Sequence, residues 1–317
     1  MDNILVYVLF AVGLVLIVKG GDMFVDASSE VAKLLGVPEF IIGATIVSFA
    51  TTMPELIVSA MASLDGRLDM AVGNAIGSVT ANTGLIMALS IVCMPSRVER
   101  RMYAPKSFML LCAVVSLWLL CAKGTLYAKS SVVLFVILAL YITENIQSGK
   151  RKMIKTTGYI SKRGLCWQLI YFVIGAAAVV MGSRLLVDNG CIIARLLRVP
   201  ENVIAVTMVA IGTSLPELVT AITAISKKEA SLTAGNIIGA NIIDTALILP
   251  VCALIRGGSF AISPHTIFLD IPACLAVVCI GILPMLITGK FKRIQGFALI
   301  AVYLIYIYIA CFISPLN

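Results

Sequence analysis

Runs of about 20 predominantly apolar residues recur along almost the whole of this chain, and a helix of that length crosses a hydrocarbon core of roughly 30 Å. They fall near residues 4–27, 39–63, 69–94, 105–123, 127–146, 166–189, 200–226, 230–255, 267–288 and 294–314. In lipid the backbone must satisfy its own hydrogen bonds, and these runs lack the period-2 alternation of barrel strands. The expectation is an all-α polytopic membrane protein of ten transmembrane helices. A soluble fold is excluded on the same grounds. With 60% of 317 residues hydrophobic and 13% charged, a globule has too little interior to hide the apolar surface. The first run, Ile4 to Val18, follows an acidic Asp2 without a basic segment or a small-residue cleavage site. It reads as a first spanning helix rather than a removed signal.

The net charge of +8 does not point to nucleic acid, because the basic residues gather in loops, where they set topology. Loops of one parity hold Lys33; Arg97, Arg100, Arg101 and Lys106; Lys150, Arg151, Lys152, Lys155, Lys162 and Arg163; Lys227 and Lys228; and Lys290, Lys292 and Arg293, sixteen of the 24 basic residues. The positive-inside rule places these loops in the cytoplasm and both termini outside a multi-pass cell-membrane protein. Most of the nine cysteines lie in apolar segments without metal-ligand spacing and read as small buried hydrophobes.

Shifted by 162 residues, the chain aligns with itself without a gap, Gly20–Met87 on Gly182–Leu249. Val25-Asp26 falls on Val187-Asp188, Val37-Pro38-Glu39 on Val199-Pro200-Glu201, Pro54-Glu55-Leu56 on Pro216-Glu217-Leu218, and Gly73-Asn74 on Gly235-Asn236. Apolar composition cannot align Pro-Glu and Gly-Asn pairs. Five spans per half is an odd number, so the second half enters the membrane upside down, an architecture secondary transporters use around a midplane site. The expected organisation is a first five-helix repeat over 1–146, a basic cytoplasmic linker over 147–165, and a second, inverted repeat over 166–317.

Glu55 and Glu217 fall well inside apolar spans, at equivalent positions. A carboxylate there costs several kcal/mol unless it is protonated, paired or bound to a cation, so it reads as functional. Pro54 and Pro216 withhold backbone donors and free the carbonyls of Ala50 and Gly212. With the hydroxyls of Thr51, Thr52, Thr213 and Ser214 these are ligands that hard cations favour. The third span adds a stripe of Asn74, Ser78 and Asn82, and the eighth adds Asn236, Ala240 and Asp244 at matching positions; Gly73, Gly77, Gly235 and Gly239 allow close helix approach. Oxygen ligands without His or Cys argue against zinc or copper and for Na⁺, Ca²⁺ or a proton. Packing accounts for Ser78 or Asn74 alone about as well as ion binding does. Glu39 and Glu201 follow prolines and read as first-turn residues; Asp22, Asp26, Glu30, Glu144, Asp188 and Asp270 read as span-edge residues.

At these residues the chain resembles the calcium/cation antiporter superfamily and, within it, the prokaryotic sodium/calcium exchangers. The motifs are Ala50-Thr-Thr-Met-Pro-Glu55 with Gly73-Asn-Ala-Ile-Gly-Ser-Val-Thr80, and Gly212-Thr-Ser-Leu-Pro-Glu217 with Gly235-Asn-Ile-Ile-Gly-Ala-Asn-Ile242. The resemblance implies a central calcium site at Glu55 and Glu217 that also binds sodium. It implies flanking sites lined by Thr51, Thr52, Thr213, Ser214, Ser78, Asn82 and Asp244, with backbone oxygens of Ser48 and Ala210. It further implies that the first and sixth spans slide as a gating pair. The chain departs from the pattern at Ala50, Thr52, Val79 and Ala240; Ala240 removes a hydroxyl and leaves the coupling ratio and the coupling ion open.

The expected function is exchange of Ca²⁺ for Na⁺ by alternating access, with both ions as substrates, the bilayer as surroundings, no cofactor and no obligate protein partner. A cation/proton or potassium-dependent antiporter on the same fold is the alternative. A passive pore fits the inverted repeat less well, and no catalytic triad, metal-hydrolase or nucleotide-binding pattern points to an enzyme.

Overall fold

The computed structural model describes residues 3–152, 162–197 and 214–310. Its first helix, α1 (Asn3–Leu35), runs beyond the apolar stretch and carries Asp22, Asp26, Glu30 and Lys33 toward its end. What stops it is Gly36, at φ 64°. The Gly36 N–H bonds the Lys33 carbonyl and the Val37 N–H bonds that of Ala32, a Schellman closure that needs a left-handed residue, and Pro38 follows. α2 (Glu39–Leu64) and α3 (Leu68–Cys93) come next, then α4 (Arg100–Cys121), α5 (Val132–Lys152) and α6 (Lys162–Leu196). The described part of the 147–165 connection is therefore helical at both ends. α7 (Leu215–Ser226), α8 (Ala230–Ile255), α9 (Thr266–Thr288) and α10 (Arg293–Tyr308) complete the described chain. Among the described residues eight helices are long and apolar enough to cross a membrane, while α7 and α10 are shorter apolar helices.

The turns after α2 and α7 close alike. Gly66 (φ 78°) and Lys228 (φ 64°) are left-handed at positions 162 apart. In each turn the residue's own N–H and the next one reach the matching carbonyls, Ser63 and Ala62 in one, Ile225 and Ala224 in the other. Lys228 adopts this conformation without being glycine, which L-residues do rarely. Two short strands, β1 (Thr125–Tyr127) and β2 (Ser259–Ala261), pair antiparallel and tie the α4–α5 loop to the α8–α9 loop. An isolated bridge between Arg97 and Lys290 ties the α3–α4 loop to the α9–α10 loop. Each tie joins loops of the same parity, as alternate crossing requires.

α3 and α8 form the middle, with 72% and 83% of their most apolar windows buried, whereas α1 and α6 bury only 28% each. α1 and α6 lie against one another through glycines. A Cβ at Gly13 would sit 2.9 Å from the Leu186 nitrogen, one at Gly20 2.7 Å from the Ala178 Cβ, and one at Gly175 2.7 Å from the Phe24 nitrogen. Where membrane helices gain nothing from hiding apolar surface, such backbone approach is what holds them together.

Several basic residues counted among the loop charges lie on helix ends, and one of them lies deep inside the fold. Lys106 is fully buried in α4. Its ammonium donates to the Met102 carbonyl at 3.2 Å and to the Ser148 hydroxyl at 3.3 Å, lies 4.0 Å from Glu144, and sits 5.6 Å from the centre of the Phe40 ring. Asp270, expected at a span edge, accepts from the Tyr306 hydroxyl at 3.0 Å and lies 3.2 Å from His265 Nδ1.

Candidate functional site

Four helices, α2, α3, α7 and α8, pack in the middle and wrap polar side chains in protein. α2 meets α8 backbone to backbone: a Cβ on Gly43 would strike the Leu232 carbonyl, one on Gly235 the Phe40 carbonyl, and one on Gly239 the Ser48 side chain. Around Gly73 and Gly77 no described atom lies within 4 Å of such a Cβ, so among the described residues of these four the close approach is seen at Gly235 and Gly239. On α2, Pro54 lies inside the continuous helical piece Ser48–Leu64, so the chain crosses the lost hydrogen bond without breaking.

All the described residues of the expected ligand set are buried: Ser48, Thr51, Thr52 and Glu55 on α2, Ser78 and Asn82 on α3, Ser214 and Glu217 at the start of α7, and Asp244 on α8. Thr213 and Ala210 lie outside the described residues, as do Gly212 and Glu201. Glu55 and Glu217 are each 1% exposed and Asp244 is 0% exposed. The charge of Glu217 acts on both Glu55 and Asp244. Thr51 and Thr52 stand beside the Glu217 carboxylate, yet all six carboxylate oxygens, with Thr52 Oγ1 and Asn82 Oδ1, lack a well-formed hydrogen bond to any described residue. Buried carboxylates without donors are expensive by several kcal/mol apiece in a dry interior. Among the described residues no three His, Cys, Asp or Glu side chains converge tightly enough to hold one metal ion together. Any cation there takes part of its shell from hydroxyls, amides and carbonyls.

The neighbouring polar groups are already engaged. Thr51 Oγ1 lies 3.3 Å from Asn236 Oδ1 and 3.4 Å from the Ser48 carbonyl. Asn74 donates to the Glu55 carbonyl at 3.2 Å and to Ser59 Oγ at 2.9 Å, so it braces the α2 backbone. Ser78 and Ser214 hydroxyls approach to 3.5 Å, and Asn241 donates to Thr83 Oγ1 at 2.8 Å, tying α8 to α3.

Local helix geometry adds a feature that the residue pattern did not announce. π-helical turns run from Asn82 to Met87 and from Asp244 to Ile248, so both begin on candidate ligands 162 residues apart. A third, Gly43–Val47, lies one turn ahead of Ser48 and Thr51, and its Ala44 carbonyl accepts the Tyr141 hydroxyl at 2.6 Å. A π turn inserts one residue into the α register and re-aims the side chains around it, and such turns concentrate at functional sites.

The sodium/calcium exchanger protein family model matches residues 5–146 and 167–312. The chain belongs to that family. It is 29% identical to the sodium/calcium exchanger MaX1 of Methanosarcina acetivorans over 97% of this chain and 99% of that one. It is 34% identical to the inner membrane protein YrbG of Escherichia coli, covering 79% and 80% of the two chains. Among solved structures it is similar to the sodium-calcium exchanger NCX_Mj soaked with Na⁺, with a TM-score of 0.86 at 29% identity over 96% of this chain and 98% of that one. Membership makes the chain a membrane transporter.

Proposed function

We propose that the chain exchanges Ca²⁺ for Na⁺ across a cell membrane by alternating access, with the transported ions bound among Glu55, Glu217 and Asp244. The observation that carries this reading is the group of three fully buried carboxylates whose six oxygens make no well-formed hydrogen bond to any described residue. Cations supply the missing charge and the missing contacts. Ser48, Thr51, Thr52, Ser78, Asn82 and Ser214, with Thr213 and Ala210, complete the coordination, and no resident cofactor is needed.

The architecture we infer is ten spans in two inverted halves, 1–146 and 166–317, joined by the basic segment 147–165. Three observations support it: the two blocks of the family match, the matching turns at Gly66 and Lys228, and the matching π turns at Asn82 and Asp244. Both termini then face outside and the basic loops face the cytoplasm.

The charge balance explains the coupling. Empty and ionised, the site carries like charges that a low dielectric penalises, so it does not pass through an occluded, dry state. Loaded with one calcium or with several sodium ions it does, and each passage of one cation type requires the return of the other. Vesicles loaded with sodium and diluted into sodium-free medium are expected to accumulate radioactive calcium. Uptake driven by a pH gradient and indifferent to sodium would instead establish the cation/proton alternative, and uptake that needs potassium would establish the potassium-dependent one.

A further inference from the structure

The two sides of this site are not equally furnished, and the inference drawn from that difference rests on the exchange reading above. On one side, the buried hydroxyls of Ser78 and Ser214 face each other at 3.5 Å. The 162-residue correspondence converts that pair into Ala240 and Thr52. Ala240 is 0% exposed and brings only a methyl group. Thr52 Oγ1 is buried beside the Glu217 carboxylate and has no hydrogen-bond partner among the described residues. The hydroxyl that should complement Thr52 is the one that Ala240 lacks.

A sodium ion entering a site closed to water gives up its hydration shell and regains that energy only from protein oxygens at fixed places. A position missing one oxygen is correspondingly weak. Calcium depends far more on charge and therefore on the carboxylates.

We propose that Ala240 disables the sodium position beside Thr52, so that this chain moves fewer sodium ions per calcium than a variant carrying serine at 240. Its sodium dependence is accordingly less steep, and each calcium exchanged carries less net charge across the membrane.

The test compares wild type with Ala240→Ser in proteoliposomes, reading the sodium gradient at which calcium flux reverses, the steepness of sodium activation, and calcium binding by calorimetry. The expected result is a higher sodium-to-calcium ratio in Ala240→Ser, with half-saturating sodium about tenfold lower, the size of one neutral ligand contact. Calcium affinity is expected to stay within about twofold, since a hydroxyl adds little to a charge-dominated site. An unchanged reversal gradient together with unchanged sodium activation would overturn the proposal. Should Ala240→Ser fail to fold, Thr52→Ala and Ser214→Ala decide the matter on their own. Thr52→Ala is expected to shift sodium activation less than Ser214→Ala, and equal shifts would overturn the asymmetry. Calcium flux in wild type that ignores sodium altogether would remove the exchange reading and this inference with it, whereas sodium-driven flux with equal shifts would remove only the inference.

Discussion

The α1–α6 pair and the inner bundle of α2, α3, α7 and α8 are both built from apolar helices pinned together at glycines, yet they differ in nearly everything else. In the bundle, glycine contacts bring polar side chains together until they are sealed from solvent and lipid alike. In the outer pair, glycine contacts hold two helices to each other and leave the remaining surfaces, Val8, Val12, Val15, Val173 and Met181 among them, exposed. Two apolar clusters that do not merge mark the division. One runs through the bundle from Phe40 to Leu299; the other joins Phe24, Val31 and Phe172 to Ile42, Val47, Ala224 and Leu232, where the pair meets α2, α7 and α8. Among the described residues, the polar ties seen between the two bodies include a group at one end of α1. Lys227 lies 2.8 Å from Asp26 and 3.4 Å from Asp22, and the Ser29 hydroxyl lies 2.8 Å from Glu39 and 2.9 Å from Glu229. A smooth apolar boundary with few directional contacts is one along which a helix pair can shift while the bundle stays fixed. We propose that the first and sixth helices slide along this boundary, as the family resemblance implies.

The contrast breaks most decisively at the carboxylates. Glu55→Gln and Glu217→Gln are each expected to abolish sodium-driven calcium uptake, by about 100-fold or more for the loss of a buried charged ligand, with the purified proteins still folded. Retained uptake in both would mean that the bundle does not bind the transported ions there. Next in size is a cross-link between Asp26→Cys and Lys227→Cys, which ties α1 to the α7–α8 turn. It is expected to stop turnover under oxidation and to release it on reduction, and uninterrupted transport would show that the pair does not move at that end. Gly235→Ala drives a methyl group into the Phe40 carbonyl at the tightest crossing of the bundle. A stability loss of about 1–3 kcal/mol, as for other overpacked cores, is expected in thermal unfolding. Asn74→Ala removes the two hydrogen bonds that brace α2 at the Glu55 carbonyl and Ser59 Oγ and is expected to cost about 1–3 kcal/mol in unfolding, about 0.5–1.5 kcal/mol per bond. The smallest effect is expected from Lys227→Ala. Asp26 is largely exposed, and surface ion pairs contribute about 0–1 kcal/mol, so a larger loss in unfolding experiments would show that the tie between the two bodies is stronger than its exposure suggests.

Much of this was legible in the sequence, and what escaped has identifiable causes. Apolar length located the spans because lipid imposes a minimum run, and Glu55 and Glu217 stood out because charge is costly within such a run. The same logic cut α1 short: hydropathy reports where lipid ends, not where a helix does, and Gly36 alone marks the true end. Lys106 looked like a loop charge because its shelter comes from Phe40 and from Ser148 and Glu144, remote in sequence. Asp270 does lie near the start of its span, and what the sequence left unread is its partner Tyr306 on the next helix. The π turns left no trace in composition, since an inserted residue needs no special side chain. Only the self-alignment hinted that positions 82 and 244 would share a local shape, and it did not say which.

That shared shape fixes the spacing of α3 and α8 as firmly as any side chain. A π turn stores one residue beyond what α geometry requires, so removing Thr83 or Thr245 would let the helix relax into ordinary pitch without shortening its reach across the bilayer by more than about 1.5 Å. The segment beyond the deletion would then keep its facing, because the lost residue and the regained α twist cancel, and the side chains within the turn itself would be re-aimed. Asn82 or Asp244 would no longer share a face with the residues it now accompanies. In these two helices a lost residue would act as a misalignment within the turn rather than a truncation, and the chain can tolerate exchange of letters there far better than a change in their number.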